Sequence, residues 1–297
     1  MKYLSNLKNP LSILKKVDLN VQQLQEAIGR IEMRQLLTSE PKSVQENEFK
    51  VYSQWGEDGI IQKLIRHINI KNKTFIEFGV QNYTESNTRF LLVNNNWAGL
   101  VIDGSKENIE YIKNDRIYWQ FNLKAECAFL HRNNINEIFR KNGITGDIGI
   151  LSIDIDGNDF WIWNAIDSVS AAIVIIEYNA RFPVDMAVTV PYRDDFVRSK
   201  AHSSMVYYGA SLSALCLLAN KKGYAFVGTN SAGNNAFFVK RDLMVSEVKE
   251  LSAAEGYVKN QFRESRDEEG KLIYLSATEE LEILTSLPLV KIDEGFA

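Results

Sequence analysis

KTFIEFGVQNYTESNTRFLLVNNNWAGLVIDGS, residues 73–105, carries the pattern from which the fold is read. An apolar run closes on Glu77-Phe78-Gly79. Thr84 to Asn95 has helical character, with Thr84 and Ser86 available as caps near its start. A second apolar run, 99–105, closes on Asp103-Gly104-Ser105. Strand, helix and strand in that order form one unit of an α/β sheet.

The alternation continues on both sides. Upstream, SQWGEDGIIQKLIRHI (53–68) opens as a loop and becomes an amphipathic helix with Ile60, Ile61, Leu64, Ile65 and Ile68 on its apolar face. Downstream, 106–113 reads as a helix and IYWQFNL (117–123) as a third strand. A helix over 135–141, capped by Asn133 or Asn134, leads to DIGILSIDIDG (147–157), apolar until Asp154. AAIVIIEYN (171–179) is apolar until Glu177, and 212–221 reads as a helix. Residues 223–243 form two strands around a short Gly/Ser/Asn turn, a hairpin whose last strand runs antiparallel at the end of the sheet. Near-continuous apolar strands imply burial on both faces, hence a mostly parallel sheet covered by helices.

Composition narrows the function. The 297 residues carry a formal net charge of −4, which disfavours nucleic-acid binding as the main task. Two cysteines, Cys127 and Cys216, make no disulfide framework and no Cys-x-x-Cys pair. MKYLSNLKNPLSILKK has no apolar core of signal-peptide length, and no run approaches a membrane span, so the expected setting is cytoplasmic. Three regions are expected: a helical segment and linker (1–46), a main domain (47–243), and a C-terminal α/β extension (244–297). In the first, Leu14, Val17, Val21, Leu24, Ile28 and Ile31 are spaced 3, 4, 3, 4, 3, a heptad seam. Two readings fit it: a helix for homo-oligomerisation, or an amphipathic helix docked on its own domain. Thr38 to Phe49 reads as the linker. In the extension, helices are expected at 252–263 and 278–285, with a short strand at 271–275.

Ligands of open parallel sheets bind beyond the carboxyl ends of the strands. Those ends carry Glu77 and Gly79, Asp103 and Ser105, Asn122, Asp154 to Asp159 (DIDGND), and Glu177 to Asn179. The phosphate-cradling G-x-G-x-x-G is absent, and Glu77 suits a positively charged ligand better than a pyrophosphate. Asp103, 24 positions after Gly79, suits the hydroxyls of a ribose. Crowded hard oxygens in DIDGND, completed by Glu177 and Asn179, suit Mg²⁺ or Mn²⁺. The competing reading of Asp156 and Asn158 is turn and cap chemistry. Of three histidines, His67 and His131 read as structural or solvated. His202 lies in a long loop on the site face, where an imidazole can serve as general base.

These strings together resemble a known family. The order of strands with a terminal hairpin, E-F-G after the first and D-G-S after the second, is similar to class I S-adenosylmethionine (SAM)-dependent methyltransferases. SQWGEDGII, LSIDIDGNDFWIW, IIEYN, YYGASLSAL and NAFFV resemble the FkbM-like methyltransferases of bacterial polysaccharide and natural-product clusters. The resemblance spans about residues 50–243. It implies a Rossmann-like seven-stranded fold in which Glu77, Gly79, Asp103, Ser105 and Asn122 hold SAM and Ser53, Gln54 and Glu57 close over it. It implies a divalent metal on Asp154 and Glu177, with Asn179 standing where a second acid is expected. The implied activity is O-methylation of a capsule, lipopolysaccharide or nucleotide-linked sugar, or of a phosphorus-linked oxygen, with His202 or Asp154 assisting. The rivals are a metal-dependent glycosyltransferase, since Asp-Ile-Asp is a D-x-D string, and a non-catalytic scaffold.

Overall fold

The computed structural model describes residues 10–36, 38 and 43–295. Residues 1–9, read above for a signal peptide, and 39–42 of the expected linker lie outside them.

The strands are β1 (Thr74–Phe78), β2 (Ala98–Asp103), β3 (Leu123–Cys127), β4 (Gly146–Ile153), β5 (Val169–Glu177), β6 (Val188–Thr189), β7 (Tyr224–Thr229), β8 (Asn235–Lys240) and β9 (Val290–Lys291). Seven form one sheet in the order β3-β2-β1-β4-β5-β8-β7. β1 to β5 are parallel, and β8 is antiparallel to both its neighbours. This is the expected Rossmann-like sheet with its terminal hairpin. The antiparallel strand, however, is not the outermost: β8 is inserted between β5 and β7, and β7 forms the edge. β6 and β9 make a separate two-stranded ribbon.

The main helices are α1 (Pro10–Gln35), α2 (Glu57–His67), α3 (Arg89–Asn95), α4 (Lys106–Asn114), α5 (Arg116–Gln120), α6 (Ile135–Lys141) and α7 (Asp159–Ala165). After them come α8 (Arg198–Ala201), α9 (Leu212–Lys221), α10 (Ala253–Gly256) and α11 (Ala277–Ser286). Successive side chains of a strand point to opposite faces, so each strand feeds two cores. Ile76, Phe78, Leu100 and Ile102 pack with Phe139, Ile162 and Leu215 on one face. Phe75, Val101, Ile150 and Ile173 pack with Ile60, Leu64 and Leu91 on the other. Among the described residues no helix is long and apolar enough to cross a membrane.

Four elements depart from expectation. Residues 117–120 are helical, not strand: the Asp115 carboxylate accepts the Ile117 N–H (3.1 Å) and caps α5, so the strand begins at Leu123. α3 starts at Arg89 rather than Thr84, because 79–88 is committed to a loop around Glu77. The helix at 252–263 is one turn, fixed by a Ser252–Glu255 capping box; beyond it the chain runs without helix across the sheet end. The 271–275 strand is reduced to a single bridge, Arg266 to Leu272.

The N-terminal helix is docked, but not by its heptad face. The Gln25 amide donates to the Val51 carbonyl, and the Tyr52 hydroxyl donates to Glu26 (2.7 Å). A Cβ on Gly29 would lie 2.3 Å from Val51, so glycine permits the close approach. Met33 and Leu36 complete a small cluster with Phe49, Val51, Tyr52 and Phe90.

Candidate active site

The strand order reverses between β1 and β4, and the crevice outside their carboxyl ends is where such sheets bind ligands. Two adjoining cavities occupy it. The larger, about 420 Å³, is bounded by Gln54, Trp55, Glu177, Arg198, Asn235 and Phe262. The smaller, about 210 Å³, has apolar walls from Ile102, Phe129, Leu130 and Phe196, with Asp103 at its edge. Gly79, Gln81, Asp154 and Asp156 line both.

The shared wall demands an unusual backbone. Gly79 has φ +68°, and a Cβ there would lie 1.6 Å from the Asp154 carbonyl oxygen. Gln81 (φ +48°), Tyr83 (φ +62°) and Asp156 (φ +55°) also occupy the left-handed region. Each such non-glycine residue costs energy that the surroundings must supply, and such residues concentrate at functional sites.

Glu77 explains how the loop is held. Its carboxylate accepts N–H groups of Asn87 (2.8 Å) and Thr88 (3.1 Å) and the Thr88 hydroxyl. Burial pushes its pKa up to about 7, against those hydrogen bonds. Glu77 therefore lines the larger cavity but spends its oxygens on the loop. Asp103 is similarly oriented, accepting from Gln81 N–H (2.8 Å), Ser105 N–H (2.8 Å) and the Asn108 amide (3.0 Å). It also lines the smaller cavity.

Other expected contacts fall elsewhere. The Ser105 hydroxyl caps α4 through Asn108 N–H (3.2 Å) and lines neither cavity. Asn122 is corrected outright: it precedes β3, its carbonyl accepts the Gly99 N–H at the amino end of β2, and it lies at the wrong edge of the sheet. That follows from the shifted third strand. In the SQWGEDG loop only Gln54 of the expected trio reaches the cavity. Ser53 is fully buried against Asp58, whose Oδ2 accepts N–H groups of Val51, Tyr52 and Ser53. Glu57 accepts from Asn230 (2.7 Å), Asn235 (2.8 Å) and Trp55 N–H (2.9 Å), so it positions two cavity residues from beneath.

The acid cluster is the chemical centre. Asp154, Asp159 and Glu177 each bring a carboxylate oxygen within 4.8 Å of the others. Asp159 is held by N–H groups of Ile155 and Gly157 (both 2.8 Å), and burial pushes it up to about 6. Glu177 is buried, and its Oε2 has no hydrogen-bond partner. Burial and then the neighbouring Asp154 charge hold Glu177 well above the usual carboxylate range; burial and the Asp156 and Asp159 charges do the same for Asp154. Asn179 is corrected as a ligand. Its amide donates to the Val206 (2.9 Å) and Tyr208 (3.1 Å) carbonyls and its oxygen accepts the Arg181 N–H, so it locks the 206–208 loop to β5.

His202 is corrected as a base. Its Nδ1 is paired with the Ser204 hydroxyl (2.7 Å), and it lines neither cavity. The same loop delivers Arg198 instead, which donates to Asp156 (2.7 Å) and stacks 3.9 Å above the Tyr208 ring. Its buried Nη2 has no partner. Sequence reading also missed Phe262 and Glu264, because they belong to a charged tail with no periodicity. Phe262 stacks on Trp55 (6.2 Å between rings, 14° between planes), closing the outer wall of the larger cavity.

No family model and no curated protein matches the chain. Among solved structures it is similar to a SAM-dependent methyltransferase from Clostridium acetobutylicum. The identity is 11%, covering 62% of this chain and 89% of that one at a TM-score of 0.40. It is similar to M. capricolum TrmK in complex with S-adenosyl-homocysteine at 13% identity, with coverage of 68% and 76% and a TM-score of 0.36. A SAM-dependent methyltransferase from Aquifex aeolicus is similar at 12%, with coverage of 60% and 87% and a TM-score of 0.34.

Proposed function

We propose that the chain is a SAM-dependent O-methyltransferase acting on a sugar hydroxyl of a bacterial capsule, lipopolysaccharide or related glycan. The observation that carries this reading is the pair of cavities meeting at Gly79 and Asp154, one apolar with an acid at its rim, the other polar and acidic. Bound SAM supplies a methyl group on a positively charged sulfur. Asp103 would accept ribose hydroxyls, while Ile102, Phe129 and Phe196 would flank the adenine. Gly79, lacking a side chain, lets the loop after β1 pack directly on the Asp154 carbonyl, so the two halves meet at that wall.

In the larger cavity Asp154 and Glu177 face the acceptor. With SAM bound as methyl donor, one of these carboxylates would take the proton that the acceptor hydroxyl loses when its oxygen bonds to the methyl carbon and the carbon–sulfur bond breaks. Most of the acceleration comes from holding the reactants in line; the base adds to it. Glu177 is the better candidate, since its Oε2 is free to accept. The same free oxygen fits a divalent ion. Mg²⁺ or Mn²⁺ would take Asp154 and Glu177, with Asp159 in the place expected of Asn179, and would lower the pKa of the acceptor hydroxyl. Loss of activity in chelator, restored by Mn²⁺, supports the metal; full activity in excess chelator leaves the carboxylate alone as base.

Glu77, Glu85, Asp154, Asp156, Glu177 and Glu264 line the larger cavity against one cation, Arg198. That balance favours an uncharged polyhydroxylated acceptor over a nucleotide-linked sugar or a phosphorus-linked oxygen. The glycosyltransferase reading is weakened because Asp156 of the D-x-D string is already paired with Arg198. A cytoplasmic setting accompanies the proposal. Titration calorimetry decides: micromolar binding of S-adenosylhomocysteine, lost in D103A, is expected, whereas tight nucleotide-sugar binding without it refutes the proposal. Turnover of SAM in the presence of glycan acceptors separates an enzyme from a scaffold.

A further inference from the structure

Helix α1 has a docked back and a bare front. Ile13, Leu14, Val17, Val21, Leu24, Ile28 and Ile31 are each 49–64% exposed. In heptad terms Leu14, Val21 and Ile28 occupy a, and Val17, Leu24 and Ile31 occupy d. The residues that fasten the helix to its own domain, Gln25, Glu26, Gly29 and Met33, occupy e, f, b and f. The intramolecular contact therefore leaves the seam free along its whole length. A run of large aliphatics this long exceeds the scattered apolar exposure of an ordinary surface. Its 3.5-residue period is the period a partner helix satisfies by supercoiling.

The flanking charges say which partner and which direction. In a parallel, in-register pair of α1 helices, e faces g of the other copy: Asp18 meets Ile13 and Glu32 meets Ala27, while Gln25 stays bonded to its own Val51. No like charges oppose each other. Reversing one helix about the centre brings Asp18 opposite Glu32, two acids in contact, which is destabilising. Because each domain sits on the back of its own helix, two domains fall on opposite outer sides of such a pair. We propose that two copies of this chain associate in parallel through the α1 seam, a stretch of about 26 Å from Leu14 to Ile31 at 1.5 Å per residue. The proposal is independent of the methyl-transfer reading.

Sedimentation equilibrium on the full chain tests it. The expected mass is twice 33.9 kDa. The double variant V21D/L24D is expected to run at 33.9 kDa, with its far-UV circular dichroism and S-adenosylhomocysteine binding unchanged. K16D, outside the seam, is expected to remain dimeric and controls for charge alone. Direction is read by oxidative crosslinking in a C127S background: L14C alone should crosslink to itself, and a mixture of L14C and I31C chains should form no L14C–I31C species. A monomeric wild-type chain at every concentration, a trimeric mass, or L14C–I31C crosslinks would each overturn the proposal.

Discussion

Removing the Glu280 carboxylate should be among the most damaging single changes outside the cavity lining. Glu280 lies on α11 and accepts from Arg181 Nε at 2.9 Å; the two side chains are 7% and 0% exposed. Arg181 follows β5 and also donates to the Glu264 carbonyl (2.9 Å) and the Tyr208 hydroxyl (3.4 Å), with Phe262 5.4 Å from its guanidinium. Deleting one partner of such a pair leaves an uncompensated buried charge, at a cost of about 3–5 kcal/mol. For a chain of this size that lowers the thermal midpoint by roughly 6–10 °C, at about 2 °C per kcal/mol. Equilibrium urea unfolding of E280A, scored by tryptophan fluorescence, measures it. The emission of Trp55 should also shift to the red, because the Phe262 ring that covers it is held through Arg181. Replacing both partners, R181M/E280L, should recover most of the loss, since apolar residues of similar volume remove the stranded charge. The reasoning fails if E280A costs less than about 1 kcal/mol, the typical effect of an arbitrary substitution, or if the double variant is no better than the single.

Three further outcomes are expected. G79A should lose S-adenosylhomocysteine binding and several kcal/mol of stability by calorimetry, since a Cβ would strike the Asp154 carbonyl at a φ of +68°; wild-type binding would disprove the close approach. Glu77 has a folded-state pKa of about 7 against 4.5, so the folded chain takes its proton first as pH falls. Stability should therefore rise between pH 7 and 4.5 by up to roughly 3 kcal/mol, and E77Q should lose that part of the slope in urea titrations at pH 5 and 8. If Glu177 is the base, kcat/KM should climb with pH along a limb set above ordinary carboxylate values. In D154N that limb should move to lower pH, because a neighbouring negative charge has been removed; an unmoved limb would exclude the pair.

Much of this architecture is legible in the chain, and the exceptions share a cause. The apolar runs ending at Phe78, Asp103, Ile153 and Glu177 became strands because their alternate faces fill two cores. The run at 117–123 has the same composition, but an aspartate directly before it starts a helical turn and leaves Trp119 75% exposed. Local capping outweighed strand character, and the expectation for Asn122 moved with it. Asp103, Asp154 and Glu177 were recognisable as strand-end acids. What Ser53, Glu57 and Asn179 do was not, since a polar residue that braces a loop and one that meets a ligand look alike in one dimension. Arg198, Phe262 and Glu264 come from segments without periodicity and are brought in by tertiary contacts alone.

The larger cavity takes its walls from residues 54 to 264, and that span has a consequence in time. At roughly 5–20 residues per second of synthesis, Ile31 leaves the ribosome about 10–45 s before Phe262. The helix bearing the exposed heptad seam is complete while the ligand site still lacks its outer wall. Neighbouring chains on one messenger would thus have their α1 segments to hand before either could bind a cofactor. Cofactor capture becomes a report that translation has passed the tail, and a chain of residues up to about 243 would hold all seven strands of the main sheet with nothing to close the larger cavity.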